Sequence, residues 1–354
     1  MLYYSSLFLK HYINCFNVIH YISFRSIAGL LTALILSIAG GNWFICWSRQ
    51  YFKMRAREHT PETHKAKGDM PTMGGIFIIG IVTLTTLLWC NSSHKELLIF
   101  LGTLIGFGLI GFWDDWSKIV KKRGISERHK LCAQIVIATL SISSWLWLSN
   151  PSTTLSLPFF KNISPDLGCF FTPWAILVLV ATSNAVNLTD GLDGLAIGSL
   201  IMNFATFSII AYVAGHATFS AYLGIPFAGT AEIAILGAIL VGASLGFLWY
   251  NTYPAQIFMG DVGSLSLGAG LGLMALMTKQ ELLLIISGGL FVAETISVII
   301  QVITYKLWRT RFFKMAPMHH HFELMGWQES KITVRFGIIS FVLCLLTLIT
   351  LKLR

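Results

Sequence analysis

Charge is scarce in this chain of 354 residues: Asp, Glu, Lys and Arg together make up only 12% of it, about half the share of an ordinary soluble domain. With so few charges and so much apolar side chain, neither a disordered chain nor a conventional soluble enzyme fits. Cysteine is sparse as well. Cys15, Cys46, Cys90, Cys132, Cys169 and Cys344 form no CxxC pair. That excludes a disulfide scaffold and a thiolate metal site, and leaves thiols packed among helices. HExxH is missing too. No internal repeat, low-complexity tract or long linker divides the chain, so residues 1–354 are expected to form a single polytopic membrane domain. No cleavable leader is visible. Residues 1–25 are aromatic-rich, carry Lys10 and Arg25, and lack a small-residue cleavage site. They are expected to form a surface segment before the first span.

What the chain has instead is apolar length. Hydrophobic residues make up 55%, and the mean hydropathy is +0.70. A bilayer-spanning helix needs about 20 mostly apolar residues. Runs of that kind predict an all-α integral membrane protein with about ten transmembrane helices. They fall near 26–47, 74–90, 97–113, 131–149, 171–188, 195–214, 232–250, 262–277, 282–304 and 334–351.

The net charge of +9 comes from 25 Lys and Arg against 16 Asp and Glu. In this setting it reads as loop orientation, with no nucleic-acid partner implied. The connections after spans one, three and nine carry 18 of the basic residues and the other side carries 7. The positive-inside rule places the richer side in the cytoplasm and, with an even number of spans, both termini outside. Of the acids, 11 fall on that same side, 4 on the other, and Glu294 falls within span nine.

Clusters of polar residues sit in all five connections on the basic side and in none on the other. Asp114 and Asp115 end span three, where adjacent carboxylates need a cation or a basic partner. Asn184, Asn187, Asp190 and Asp193 recur at a spacing of three. That spacing would align two amides and two carboxylates on one face if the segment is helical, as suits a cation or a polyhydroxyl ligand. Asp261, between Gly260 and Gly263, precedes span eight, where an acid either caps the helix or holds a metal near open backbone. His319, His320 and His321 are consecutive, a poor spacing for zinc, and suit contact with an anion. Lys65 and Lys67 precede span two with Pro71-Thr-Met-Gly-Gly75, and Lys130 opens span four. Together these loops suggest phosphoryl transfer between a soluble nucleotide and a lipid phosphate. Paired acids suit Mg²⁺, and lysines and histidines suit phosphate.

At these residues the sequence resembles the phospho-N-acetylmuramoyl-pentapeptide transferases, a branch of the polyprenyl-phosphate sugar-1-phosphate transferase superfamily. The matching segments are Pro71-Thr-Met-Gly-Gly75, Asp114-Asp115, Asn187-Leu-Thr-Asp190-Gly-Leu-Asp193-Gly, Phe258-Met-Gly-Asp261-Val-Gly-Ser264 and Ala316-Pro-Met-His-His-His-Phe-Glu323. One departure is Gly68-Asp69-Met70-Pro71, where Gly-Thr-Pro is expected. The resemblance implies ten transmembrane helices in the bacterial inner membrane, commonly as a homodimer. It also implies attack of undecaprenyl phosphate on UDP-N-acetylmuramoyl-pentapeptide, with Mg²⁺ as cofactor, giving lipid I and UMP. By the same resemblance Asp261 is the metal ligand, and Asp114 and Asp115 join it as catalytic acids. Lys67 and Lys130 face phosphate. Thr72, Asn187, Asp190, Asn251 and Phe258 belong to the substrate site, as do Asp193, His319, His320 and His321. Two rivals are a sister enzyme using UDP-N-acetylglucosamine, which the Pro-Met-His-His-His run argues against, and a transporter. A transporter would carry ionisable residues deep in several spans, and here only Glu294 lies there.

Overall fold

The structure is a computed structural model, and it describes residues 1–10, 14–52, 70–160 and 163–352. Among these residues it is all α, with no strand. A short helix α1 (Leu2–Leu9) precedes α2 (Ile22–Tyr51), α3 (Gly74–Trp89), α4 (Lys95–Lys121), α5 (Glu127–Ser149), α6 (Phe171–Thr189) and α7 (Leu195–Ala214). The short α8 (Ala217–Leu223) leads to α9 (Ala231–Asn251) and α10 (Gly260–Met277). Then come α11 (Leu283–Ser287), α12 (Gly289–Trp308), α13 (Met318–Glu323) and α14 (Glu329–Thr350). Nine helices among the described residues are long and apolar enough to cross a membrane, and α3 is a shorter apolar helix of 16 residues. The chain is a multi-pass membrane protein.

Each of the ten expected spans coincides with helix, but two differ in a way that matters. Span three was expected to stop at 113; α4 runs to Lys121, so Asp114 and Asp115 lie inside the helix. The acids continue it because Lys118, at i+4 and i+3, neutralises both. Span nine is not continuous. It breaks at Gly288, between α11 and α12, where two adjacent glycines weaken the helix. The cysteines also depart from expectation: Cys90 and Cys344 are buried, whereas Cys46, Cys132 and Cys169 are exposed on the protein's surface. In a membrane an apolar surface is no obstacle to that.

The centre of the bundle is α9 and α10, of whose apolar windows 78% and 89% are buried. Both are apolar all round, as an enclosed helix must be. Helix α9 packs along α2 and α7, and α10 along α4 and α6. Small residues allow the closest approaches. A Cβ on Gly75 would lie 2.1 Å from the Gly263 nitrogen, and one on Gly111 would lie 2.3 Å from the Asp261 carbonyl oxygen. Helices α3 and α4 are thus pressed against the first turn of α10. At the other end of the bundle, Arg25 of α2 grips Glu232 of α9 with two contacts, of 2.7 and 2.9 Å. The Asn91 amide donates to the same carboxylate, 3.1 Å away.

Candidate active site

The first turn of α10 is the pivot. Asp115 Oδ2 accepts the Asp261 N–H at 2.8 Å, so it caps α10 from a neighbouring helix. Gly260, at φ 72°, makes the turn that permits this. A Cβ there would sit 2.6 Å from Asp115 Oδ2 and 3.0 Å from Thr72 Oγ1. Thr72 is buried and its hydroxyl has no hydrogen-bond partner. Asp114 Oδ1 accepts the Ile125 N–H at 2.8 Å, which fastens the loop leading to α5.

The remaining carboxylate oxygens converge. Lys118 Nζ lies 2.8 Å from Asp114 Oδ2, 3.0 Å from Asp115 Oδ1 and 3.0 Å from Asp261 Oδ2. Lys130 Nζ lies 2.5 Å from Asp261 Oδ2 and 3.5 Å from Asp114 Oδ2. Asn187 Nδ2 donates to Asp261 Oδ1 at 3.1 Å and to Ser264 Oγ at 2.8 Å. One ligand oxygen from each of the three acids lies within 4.8 Å of the others. Three hard oxygen donors, with an unpaired hydroxyl close by, fit a divalent cation.

Asp190 follows the last residue of α6, so the expected line of four polar residues stops there. Asn187 reaches the carboxylate centre, but Asn184 turns to Gln134 of α5, with Nδ2 donating to Oε1 at 2.8 Å. Burial, and then the neighbouring carboxylates of Asp261, Asp115 and Asp193, raise the Asp190 carboxyl to about 8. Asp193 belongs to a fastening. Its Oδ2 accepts the Ala255 N–H at 3.0 Å, and its own N–H donates to Glu329 Oε1 at 2.9 Å. Asn251 is a fastening as well, accepting from Gly194 N–H at 3.1 Å and donating to the Ile257 carbonyl at 2.8 Å. Phe258 joins the loops through its backbone. It donates to the Pro71 carbonyl and accepts from Gly74 N–H, both at 2.9 Å.

The histidines sit on this assembly through helix α13. His319 is buried, with Nε2 against Gly191, and burial lowers its pKa despite the pull of Glu294. His320 Nδ1 lies 2.7 Å from Glu323 Oε2, and His321 Nδ1 accepts the Lys314 N–H at 3.1 Å. Glu294, within the span, accepts the Met318 N–H at 2.6 Å and the His319 N–H at 3.2 Å. Its burial is explained by this capping. Thr72, Lys118 and Lys130, Asn187 and Asp190, Phe258 and Asp261, and His319 come from five different connections, and all five meet. Lys67 lies outside the described residues. Sequence reasoning asked only for a cation or a basic partner to the two acids, without assigning Lys118, and gave Ser264 no role. The i+3 and i+4 spacing from two acids is the signal that marks Lys118.

This is the build of a membrane-embedded transferase of phosphate-linked sugars. Residues 97–279 match the family model for Glycosyl transferase family 4. Over its full length the chain is 50% identical to the phospho-N-acetylmuramoyl-pentapeptide-transferase of Solidesulfovibrio magneticus and 51% identical to that of Desulfatibacillum aliphaticivorans, in both cases covering 100% of the relative. The corresponding protein of Pelobacter propionicus is 49% identical, again over 100% of both chains. The chain belongs to the phospho-N-acetylmuramoyl-pentapeptide-transferase family.

Proposed function

We propose that this protein transfers phospho-N-acetylmuramoyl-pentapeptide from its UDP-linked donor to undecaprenyl phosphate, forming lipid I and releasing UMP. The observation that carries the reading is the convergence of Asp114, Asp115 and Asp261 on two partly buried ammonium groups at one end of a membrane bundle. The attacking lipid phosphate needs little activation. A phosphate monoester has a second pKa of about 6, so it is already mostly dianionic at neutral pH. The difficulty is bringing two anions together, which is a matter of positioning and charge.

The family resemblance makes Lys67 a phosphate-facing lysine, and Lys118 and Lys130 supply positive charge at the diphosphate. Asp114 and Asp115 orient these lysines and hold the loop and the α10 terminus in place. Mg²⁺ bound at Asp261, with Asp114 and Asp115 beside it, supplies further charge neutralisation. Asn187 and Asp190 face the donor nucleotide, with Thr72 and Phe258 lining the loops around it. Asp193 and Asn251 keep that wall closed, and His319, His320 and His321 contact the sugar or phosphate. The reading has this end facing the cytoplasm and both termini outside, which the distribution of Lys and Arg supports, and the bilayer is the bacterial inner membrane, as the family resemblance implies.

A transfer assay with purified protein and radiolabelled donor tests the reading. UDP-N-acetylmuramoyl-pentapeptide should give labelled lipid and UMP, and UDP-N-acetylglucosamine should not. Transfer from UDP-N-acetylglucosamine alone would assign the sister activity. Solute flux in vesicles without UMP release would assign a transporter.

A further inference from the structure

Gln134 of α5 and Asn184 of α6 face one another within two helices that are long and apolar enough to span a membrane. Asn184 Nδ2 donates to Gln134 Oε1 at 2.8 Å, and Gln134 Nε2 donates back to Asn184 Oδ1 at 3.3 Å. Asn184 Nδ2 also donates to the Val180 carbonyl at 2.8 Å. Both N–H groups and the oxygen of Asn184 are therefore in use. Gln134 is fully buried. Where no water can substitute, such a pair holds only while the two helices keep their relative position.

The pair lies one helical turn from the carboxylate centre. Gln134 follows Lys130 by four residues, and Asn184 precedes Asn187 by three. Each amide thus shares a helix face with a residue that reaches Asp261. Lys130 Nζ is 2.5 Å from Asp261 Oδ2, and Asn187 Nδ2 is 3.1 Å from Asp261 Oδ1. Helix α6 packs along α10, where the Ser183 hydroxyl donates to the Leu265 carbonyl at 2.9 Å. Helix α5 packs along α4 and α6, and these carry it to α10. Its hold is narrow: 28% of its apolar window is buried, and its buried stripe is Gln134, Ala138, Ile142 and Trp145. Apolar contacts have no preferred direction and resist a slide less sharply than a hydrogen bond does. A slide of one residue would move Lys130 by about 1.5 Å along the helix axis.

We propose that the Gln134–Asn184 amide pair is a positioning clamp, which fixes the register of α5 against α6 and so sets Lys130 beside Asn187 at Asp261. The proposal rests on reading this centre as the site of transfer. Neither amide has to touch substrate; both act through Lys130 and Asn187. A buried polar pair is a known means of specifying register between helices. Hydrogen bonds between membrane helices add only modestly to stability. A displacement of about 1 Å at a reacting group can cost about a hundredfold in rate. The clamp therefore matters more to transfer than to folding.

The test compares double variants of the full-length protein in detergent. Gln134→Met with Asn184→Leu replaces both partners by apolar side chains of similar size and leaves neither amide unpaired, so melting should stay near that of wild type. Its kcat for transfer should fall at least about tenfold. Gln134→Asn with Asn184→Gln exchanges the amides, keeps their combined length across the gap, and should recover most of that loss. Spin labels at Arg128→Cys and Leu177→Cys, in a background without native cysteines, read the register without any chemistry. The distance between them should shift or broaden in the apolar variant and return in the exchanged one. Gln134→Leu with Asn184→Leu, measured the same way, guards against a folding defect of the first variant. An unchanged label distance in the apolar variants overturns the clamp. A shifted distance with wild-type kcat overturns its link to Lys130, and so does a loss that the exchanged pair fails to recover. If wild type itself gives no transfer, the reading of the site fails, and the label distance alone then decides the clamp.

Discussion

His319 packs so closely on Gly191 that a Cβ on that glycine would lie 2.2 Å from Nε2. This contact joins the turn after α6 to helix α13, two segments 128 positions apart in the sequence. It sets how closely α13 lies against the turn at Gly191. Gly191→Ala should therefore lower transfer and cost about 1–3 kcal/mol of stability, the usual range for overpacking. In a His319→Ala background the same change should cost much less. A double-mutant cycle on melting and transfer measures the difference; additive effects would mean that the two residues do not act on one another.

Glu294 is a capping residue placed inside a span. Glu294→Ala leaves the buried His319 N–H without an acceptor, at about 1–3 kcal/mol, and the partly buried Met318 N–H as well. Glu294→Gln keeps an acceptor oxygen and should lose clearly less. Thermal melts in detergent should rank wild type above Gln and Gln above Ala, with transfer in the same order. Equal melting of all three would remove the capping role.

Asp190 makes the cation-free protein sensitive to alkali. Its carboxyl is raised to about 8 in the folded state by burial and by neighbouring carboxylates, against roughly 4 in an unfolded chain. A raised folded value gives stability that is fully present below the unfolded pKa and is lost as pH rises through the folded one. Melting temperature, measured without divalent cations, should fall from about pH 4 toward pH 8. Asp190→Asn should flatten that fall while weakening donor binding. A variant with the wild-type pH slope would contradict the assignment.

Topology is open to direct labelling. Arg123 and Ser164 are both exposed, in the connections at opposite ends of α5. Single cysteines at these positions, in a background without native cysteines, should react with membrane-impermeant reagent from opposite sides. Arg123→Cys should label from the cytoplasm. Labelling of both from one side would break the ten-span arrangement.

The bundle was legible because ten apolar runs are long enough to read against the thickness of a bilayer, and nine became one helix each while the ninth run broke at Gly288. Where each helix ends was less legible. Hydropathy places the end of α4 at the first acid, yet Lys118 neutralises Asp114 and Asp115 and carries the helix to Lys121. The residues of the site were legible as types, since five loops each carried acids, amides, lysines or histidines. Their division of labour was not. Asp193 and Asn251 spend their polar atoms on backbone groups of a neighbouring loop, and Asp115 caps a helix that lies far away in sequence. Spacing within one segment carries no information about such partners. Glu294 shows the same limit: its partner is the start of α13, which no periodicity in α12 reveals.

The central claim is that Asp261 holds the metal that lets the carboxylate centre act on the donor diphosphate, and Asp261→Asn measures it most directly. Asn matches the size of Asp but removes the charge that faces Lys118 and Lys130, so melting reports the lost ion pairs and transfer reports the lost metal ligand. The comparison is transfer of labelled phospho-N-acetylmuramoyl-pentapeptide to undecaprenyl phosphate across a Mg²⁺ titration, with melting recorded alongside and assays run well below the melting temperature. The account predicts that the protein stays folded under assay, that transfer falls by about 10²–10³-fold or more, and that saturating donor gives no recovery. Near-wild-type transfer by Asp261→Asn at low Mg²⁺ would contradict it.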